Sequence, residues 1–105
     1  MAVQVATDAD FSDIIKNNEK VIVKYFADWC GSCKLFAPKF RRLSENPDYE
    51  GVVFLDVNAE ENEEARKMAG VNNLPFLATF ENGVLKTGKP TSKEERAIDL
   101  LNELK

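Results

Sequence analysis

The sequence predicts an α/β fold in which a mixed central β-sheet is covered by helices on both faces. Apolar, β-branched runs alternate along the chain with segments whose apolar residues recur at helical spacing, and this alternation is typical of parallel β-α-β crossovers. Near the C-terminus two runs are joined by Asn-Gly, a dipeptide typical of a hairpin turn, which adds antiparallel strands. The predicted order is β-α-β-α-β-α-β-β-α, and residues 1–105 are expected to form one domain.

The first half of the chain contains two predicted strands and two predicted helices. Residues 2–6 alternate weakly like a short strand, and Thr7 is placed to cap the helix that follows. Residues 21–27 are typical of a buried central strand, although Lys24 interrupts their apolar run. Apolar residues at positions i, i+4 and i+7 then predict a helix that begins at the two cysteines and ends before Asn46.

The second half of the chain contains three predicted strands and two predicted helices. Residues 52–57 form another buried apolar run, and Gly70 is placed to end the helix after it. The strand over 76–80 turns at Asn82-Gly83 into a short partner over 84–86. A capping box and an apolar stripe predict the final helix: Ser92 with Glu95, followed by Ala97, Ile98, Leu101 and Leu104.

Composition and charge exclude several classes of protein. The chain has 105 residues, a net charge of -4 and no histidine, the residue that most often serves as general base and metal ligand. Triad hydrolases and zinc sites built on histidine are therefore excluded. The lysines are scattered, so we expect no nucleic-acid partner and no membrane partner. We also expect a monomer in the cytoplasm, since the first residues resemble neither a leader peptide nor a membrane anchor.

The two cysteines, Cys30 and Cys33, indicate redox chemistry. A disulfide between residues this close in sequence closes almost no loop entropy, so the pair is a poor structural staple. Cys30 stands where a strand ends and a helix begins, and there the N–H groups of Ser32 and Cys33 and the helix dipole stabilise a thiolate. Cys33, one helical turn further on, is expected to be less acidic. We therefore predict that Cys30 attacks a disulfide and that Cys33 resolves the product.

Further motifs accompany the cysteine pair along nearly the whole chain. The WCGSCK motif lies between a hydrophobic strand and a helix, and a Leu-Pro pair precedes the hairpin. The motif segments are Phe26-Ala27-Asp28-Trp29-Cys30, Gly31-Ser32-Cys33-Lys34, Pro38, Val71-Asn72-Asn73-Leu74-Pro75, Phe80-Glu81-Asn82-Gly83 and Ser92-Lys93. By these segments together the sequence resembles the thioredoxin family.

The resemblance implies a thioredoxin fold and the reduction of protein disulfides by dithiol-disulfide exchange. It implies a cis peptide at Leu74-Pro75 beside the cysteines, where Gly31, Ser32 and Pro75 tune the redox pair. Disulfide-containing proteins would be the substrates, and an NADPH-dependent flavoprotein thioredoxin reductase would be the electron donor. No bound cofactor is needed, because the Cys30-Cys33 disulfide is itself the redox centre. The implied substrate-binding residues are Trp29, Asn73, Leu74 and Pro75, together with Phe76, which directly follows the cis-proline.

Ser32 stands where thioredoxins usually have proline. Serine frees the backbone at the helix start and adds a hydroxyl that can hydrogen-bond a thiolate, which favours the reduced form. On this interpretation the Cys30-Cys33 couple is less reducing than that of a proline variant. In the alternative interpretation, Ser32 is simply a tolerated residue in the first turn of a helix.

Two charged positions are exchanged relative to the thioredoxin pattern. Lys24 lies where the family has a buried aspartate thought to help deprotonate the resolving cysteine, and Asp56 lies where the family commonly has a lysine. Because their strands are predicted to be parallel neighbours, we expect a reversed ion pair beneath Cys33. The Cys33 proton would then leave through Asp56 or a water, while Lys24 stabilises negative charge near the sulfurs or itself acts as a base. In the alternative, Lys24 extends to the surface and Asp56 faces water.

Phe76 replaces the threonine that usually follows the cis-proline in thioredoxins. Its ring is predicted either to narrow the substrate groove or to point into the core, because strand alternation leaves its side undecided. The substrates that the groove prefers are therefore left open.

Three other functions are alternatives to protein-disulfide reduction. In the first, the chain is a binding scaffold whose cysteines are inert in a redox buffer. In the second, the cysteine pair acts as a disulfide oxidase or isomerase, as in the protein disulfide isomerase branch of the family. The first residues do not resemble the leader peptide expected for that branch. In the third, the two cysteines bind a metal, but a closed zinc site takes four ligands and the chain has no histidine and no further cysteine.

Overall fold

The computed structural model describes residues 2–104, and within them five strands and four α-helices follow the predicted order. None of these helices is long and apolar enough to span a bilayer. The strands are β1 Gln4–Val5, β2 Lys20–Phe26, β3 Val53–Asn58, β4 Phe76–Glu81 and β5 Val84–Pro90. The helices are α1 Phe11–Asn17, α2 Gly31–Ser44, α3 Glu63–Ala69 and α4 Glu94–Glu103, and Pro47–Tyr49 form a short 3-10 helix.

The sheet is mixed, as predicted, and its strand order is β1-β3-β2-β4-β5. β1 and β2 pair in parallel with β3, whereas β4 is antiparallel to both β2 and β5. β2 therefore lies at the centre of the sheet, and its parallel register sets Lys24 opposite Asp56. Because the carboxyl ends of parallel strands meet at one edge, the residues that follow β2 and β3 are brought together there.

Helices cover both faces of the sheet, and each face has its own apolar core. α1 and α3 contribute to the core that contains Tyr25, whereas α2 and α4 contribute to the core that contains Phe54. Strand side chains alternate between the faces, so Lys24 and Asp56 share the side of Phe54. The two charges therefore point towards α2, the helix that begins at the cysteines.

Two helix starts differ from the predictions. α1 begins at Phe11 with Asp10 as its N-cap residue, because Thr7 instead closes the preceding turn, where its N–H donates to Asp10 Oδ1 at 2.8 Å. α4 has Lys93 as its N-cap residue and no side-chain cap, so the capping box predicted from Ser92 is wrong. In both cases the spacing of polar residues located the helix but missed its first residue, because neighbouring turns decide which group caps it.

β5 is longer than predicted, since it runs to Pro90 instead of ending at Lys86. Its pairing with β4 continues until Phe76 lies opposite Pro90. Glycine and proline weaken the sequence signal for a strand here, yet both are tolerated on an edge strand such as β5. The longer strand brings Gly88 against the ring of Phe76.

Gly88→Ala is expected to destabilise the fold by about 1–2 kcal/mol, because the site has no room for a side chain. An alanine Cβ would lie 3.0 Å from two ring carbons of Phe76 and 3.3 Å from the carbonyl oxygen of Ala69. Urea denaturation measures the loss, with Lys89→Ala on the same strand as the control. Adding Phe76→Leu to Gly88→Ala should cost less than the sum of the two single changes. Full stability of Gly88→Ala would contradict this packing.

Candidate active site

The cysteine pair lies where β2 gives way to α2. Residues 27–29 follow β2, and Cys30 is the N-cap residue of α2. The Cys33 N–H donates a hydrogen bond to the Cys30 Sγ at 3.2 Å, and a disulfide joins the two residues. The Cys30 sulfur therefore faces one N–H group at the start of this helix, that of Cys33.

Both cysteines are almost completely buried. The exposed fraction is 5% for Cys30 and 3% for Cys33, and the two form a small apolar cluster with Ala27, against which Leu74 packs. Burial alone therefore does not distinguish an attacking from a resolving cysteine. Their positions on the helix differ, because the Cys30 sulfur is the N-cap acceptor of α2.

A groove runs past the cysteine cluster on the side of the cis-proline. The Leu74-Pro75 peptide is cis, as the resemblance implies. Next to it, a groove of about 420 Å³ is lined in part by Trp29, Glu60, Arg66 and Leu74. Trp29 is 68% exposed although its side chain is large and mostly apolar. An exposed aromatic beside a buried disulfide provides a surface on which another polypeptide can pack.

Glu60 positions Trp29, a role that the sequence analysis missed. The Trp29 Nε1–H donates to Glu60 Oε2 at 2.6 Å. Arg66 is fixed in the same groove, since its Nη1 donates to the carbonyl oxygen of Ala59 at 3.0 Å. The available signal was topological: Trp29 follows β2 and Glu60 follows β3, and the ends of these parallel strands meet at one edge of the sheet.

Asp8 fixes the loop that carries Glu60. Its Oδ1 accepts from the Ala65 N–H at 2.9 Å, and its Oδ2 accepts from the Glu64 N–H at 3.2 Å. Its own N–H donates to Asn62 Oδ1 at 2.9 Å. These bonds cap the start of α3 from a distant part of the sequence, so the loop between β3 and α3 is held in place beside the groove.

Lys24 and Asp56 form the predicted ion pair across β2 and β3. Lys24 Nζ lies 3.2 Å from Asp56 Oδ1, and 5% of the Lys24 side chain is exposed, against 24% of the Asp56 side chain. The ammonium also lies 5.6 Å from the ring centroid of Phe26 and 5.4 Å from that of Phe40. The alternative in which Lys24 extends to the surface is therefore wrong, because the carboxylate and the two rings attract its charge within the fold.

The ion pair shares a cavity of about 450 Å³ with Cys33. A second cavity of about 260 Å³ reaches the same pair from the side of Arg41 and Glu45. Burial raises the pKa of the Asp56 carboxyl, and the ammonium of Lys24 offsets only part of that rise. The cavity beside Cys33 therefore contains a carboxyl group that binds a proton more readily than an ordinary aspartate.

Comparison with known proteins places the chain in a family. The sequence model of the Thioredoxin family matches residues 2–104. Thioredoxin 1 of Plasmodium falciparum is 37% identical over 79 residues, which make up 75% of this chain and 74% of that protein. The chain belongs to the thioredoxin family. Thioredoxin-1 of Schizosaccharomyces pombe is 35% identical over 83 residues, 79% of each chain. A solved structure of Plasmodium falciparum thioredoxin has a TM-score of 0.88 at 30% identity, covering 96% of this chain and 98% of that one.

Membership of the family establishes the type of chemistry. Thioredoxins are disulfide oxidoreductases, and the Cys30-Cys33 pair is the redox-active dithiol or disulfide of this thioredoxin. Thioredoxins act on disulfide-bonded substrates, are reduced in general by thioredoxin reductase, and need no cofactor beyond their own disulfide. Within residues 2–104 no group of side chains is arranged to hold a metal ion.

Between the two cysteines of this thioredoxin, Gly31 and Ser32 form the first turn of α2 and are exposed. A Cβ added at Gly31 would have no heavy atom of another part of the fold within 4 Å. Packing therefore does not require glycine at this position. The tuning roles assigned to Gly31 and Ser32 stay predictions.

Phe76 does not line the substrate groove of this thioredoxin. The residue is 3% exposed, and its ring contacts that of Tyr25 with 6.2 Å between centroids. The expectation that this ring meets the substrate is therefore wrong, because β4 directs it to the face covered by α1 and α3. Asn73, by contrast, is exposed beside the cis peptide. The groove thus combines an aromatic from the β2 end, Trp29, with the backbone that precedes β4.

Proposed function

We propose that this thioredoxin reduces disulfides of other proteins, with Cys30 as the attacking residue. The Cys30 thiolate bonds to one substrate sulfur, and the other substrate sulfur leaves as a thiolate and takes up a proton. The Cys33 thiolate then attacks the Cys30 sulfur, which forms the Cys30-Cys33 disulfide and releases the second substrate thiol. This assignment rests on the 3.2 Å hydrogen bond from the Cys33 N–H, which marks Cys30 as the sulfur whose negative charge the helix stabilises.

In the same reaction, Asp56 accepts the proton of Cys33, either directly or through a water in their common cavity. The support is the shared cavity and the raised pKa of Asp56, because a carboxylate of raised pKa is a stronger base. Lys24 pairs with the carboxylate and stabilises negative charge near the sulfurs. Thioredoxins usually have the aspartate at position 24 and the lysine at position 56. Here the two charges are exchanged between the strands, and they would serve the same resolving step.

Asp56→Asn is expected to slow protein-disulfide reduction near pH 7 on the order of tenfold. The effect is smaller than that of a typical general base, because a thiol is already partly ionised near neutral pH. The measurement is the pH profile of reduction, which should lose one ionisation in the variant. Glu45→Gln is the matched control, since it removes a carboxylate from the second cavity only. An unchanged rate and profile in Asp56→Asn would remove Asp56 from the mechanism.

We also propose an electron donor and a cellular location for this thioredoxin. An NADPH-dependent thioredoxin reductase would return the Cys30-Cys33 disulfide to the dithiol, as it does for thioredoxins in general. The location would be the cytoplasm, with the protein acting as a monomer. The cysteine content supports this location, because the chain has 2 cysteines and both belong to the redox pair.

Redox titration tests the proposed direction of electron flow. Purified protein is equilibrated against graded dithiol and disulfide buffers while Trp29 fluorescence and thiol alkylation are followed. For a general protein-disulfide reductant, the redox potential of the Cys30-Cys33 couple is expected to be about -270 mV. A far less negative potential would indicate an oxidase or isomerase instead. If no reversible transition is found, the proposed redox catalysis is wrong, and a binding scaffold with inert cysteines is the remaining alternative.

Ser32→Pro is expected to make the potential more negative by about 10–30 mV, because proline restricts the helix start and removes a hydroxyl that can bond a thiolate. Ser32→Ala separates the two causes, since it removes the hydroxyl without adding the ring. The same redox titration provides the measurement. If both variants keep the parent potential, Ser32 is simply a tolerated helix residue.

A further inference from the structure

The backbone beside the cis-proline is engaged by its own neighbouring side chain. The Leu74 N–H donates to Asn73 Oδ1 at 2.9 Å. Asn73 is exposed, whereas Leu74 is partly buried against the cysteine cluster. The side chain of Asn73 therefore occupies a backbone donor that lies next to the redox pair. Short polar side chains commonly compete for nearby backbone groups in this way.

The same N–H lies where a bound substrate needs a partner. Leu74 packs against the cysteine cluster, so a polypeptide whose sulfur reaches Cys30 comes close to Leu74. The segment leads directly into β4, so an extended peptide can add to it through backbone hydrogen bonds. Pro75 has no N–H to offer. The nearest backbone donor on its N-terminal side is the Leu74 N–H, which Asn73 occupies.

We propose that the Asn73 side chain competes with the substrate backbone for the Leu74 N–H. A carbonyl oxygen of an extended, disulfide-bonded peptide displaces Asn73 Oδ1, and the released amide turns to solvent. A small disulfide without peptide carbonyls does not compete for this donor. Asn73 is thus a specificity-determining residue that weakens binding of polypeptide substrates. The proposal rests on the proposed function, since it concerns substrates that Cys30 attacks.

The expected effect of Asn73 on substrate affinity follows from the strength of the hydrogen bond that the substrate displaces. A neutral, exposed hydrogen bond changes an equilibrium constant by about two- to tenfold. Removing the Asn73 acceptor should therefore lower the concentration of polypeptide substrate needed for half the maximal rate by that factor. The maximal rate should change less, because the bond is displaced on binding and takes no part in sulfur exchange.

Stopped-flow oxidation of the reduced protein, without a recycling enzyme, measures a second-order rate constant, which combines the binding of the disulfide with its maximal rate of reaction. Trp29 fluorescence follows the reaction with insulin as the polypeptide disulfide and with 5,5′-dithiobis(2-nitrobenzoate) as the small one. In Asn73→Ala the ratio of the two second-order rate constants, insulin over small disulfide, is expected to rise about two- to tenfold. Asn73→Asp keeps an acceptor oxygen at the same distance and should not raise the ratio. Asn72→Ala, which removes the neighbouring exposed amide, is the matched control.

Hydrogen exchange of the Leu74 N–H adds a measurement on the free protein. It should accelerate in Asn73→Ala but not in Asn73→Asp, because only the alanine variant lacks the acceptor. An unchanged rate ratio in Asn73→Ala, or an equal rise in Asn72→Ala, would overturn the competition. A parent protein that neither disulfide oxidises would instead overturn the proposed function, and the competition with it.

Discussion

Cys30→Ser is expected to abolish protein-disulfide reduction, with a loss of about 10³-fold or more, because a serine hydroxyl does not attack a disulfide sulfur at neutral pH. The fold should persist, since serine differs from cysteine by one atom and can accept the same N-cap hydrogen bond. The rate of insulin reduction measures the loss. Residual reduction at a tenth of the parent rate would mean that Cys33 can attack in its place.

Cys33→Ser is expected to stop the same reaction one step later. Cys30 still attacks, but nothing displaces the substrate sulfur from it, so the mixed disulfide accumulates. Non-reducing electrophoresis and peptide mass analysis would show a substrate joined to Cys30. The double variant Cys30→Ser/Cys33→Ser is the control and should capture nothing. Capture by Cys30→Ser instead would reverse the assigned order of the two cysteines.

Lys24→Met is expected to lower the free energy of unfolding by about 2–4 kcal/mol at pH 7, because it leaves the Asp56 carboxylate buried without its partner. Methionine has a similar length and can fill the space near the rings of Phe26 and Phe40, so the loss should come from charge more than from packing. The Asp56 side chain is 24% exposed, which moderates the loss relative to a fully buried pair.

The loss in Lys24→Met is expected to depend on pH with a sign set by Asp56. Burial raises the pKa of Asp56 above its usual 3.8 even with Lys24 present, and removal of Lys24 raises it further. A carboxyl with a raised folded-state pKa contributes stability that is present below its unfolded pKa and is lost as the pH rises through the folded-state pKa. The variant should therefore approach the parent in stability at about pH 4 and fall below it towards neutral pH.

Urea denaturation of the parent and the variants at about pH 4 and about pH 7 measures this difference. Lys24→Met combined with Asp56→Asn is the control, and it should regain most of the stability because neither charge is left unpaired. A loss in Lys24→Met that is equal at both pH values would show that packing is responsible. The other charged residues lining the two cavities are shared by all variants and cancel in the comparison: Asp28, Lys34, Arg41 and Glu45.

The redox pair was predictable from simple periodicity, and its ion pair from periodicity together with the resemblance to the thioredoxin family, which singled out Lys24 and Asp56. An apolar run that stops at residue 27 and helical spacing that starts at Cys30 locate the sulfur at a helix N-terminus. Two buried runs in a β-α-β unit are parallel neighbours, and this relation places Lys24 across from Asp56.

Other features depended on tertiary contacts that a linear pattern does not contain. The side of Phe76 was undecided until the register of β4 against β2 set it beside Tyr25. The loops that carry Trp29 and Glu60 meet at one edge of the sheet, as the strand order implies, but which side chains bond there depends on the tertiary structure. The capping box at Ser92 failed because the local spacing was correct while the chain entered the helix one residue later, at Lys93.

The direct register between Lys24 and Asp56 restricts how this arrangement can arise from the usual thioredoxin one. The two positions face each other across neighbouring strands, so giving one of them the charge of the other places two like charges together in a confined space. Neither residue can therefore reverse its sign alone without cost. A lineage that moves between the two arrangements must pass through an uncharged residue at one position, or change both positions together.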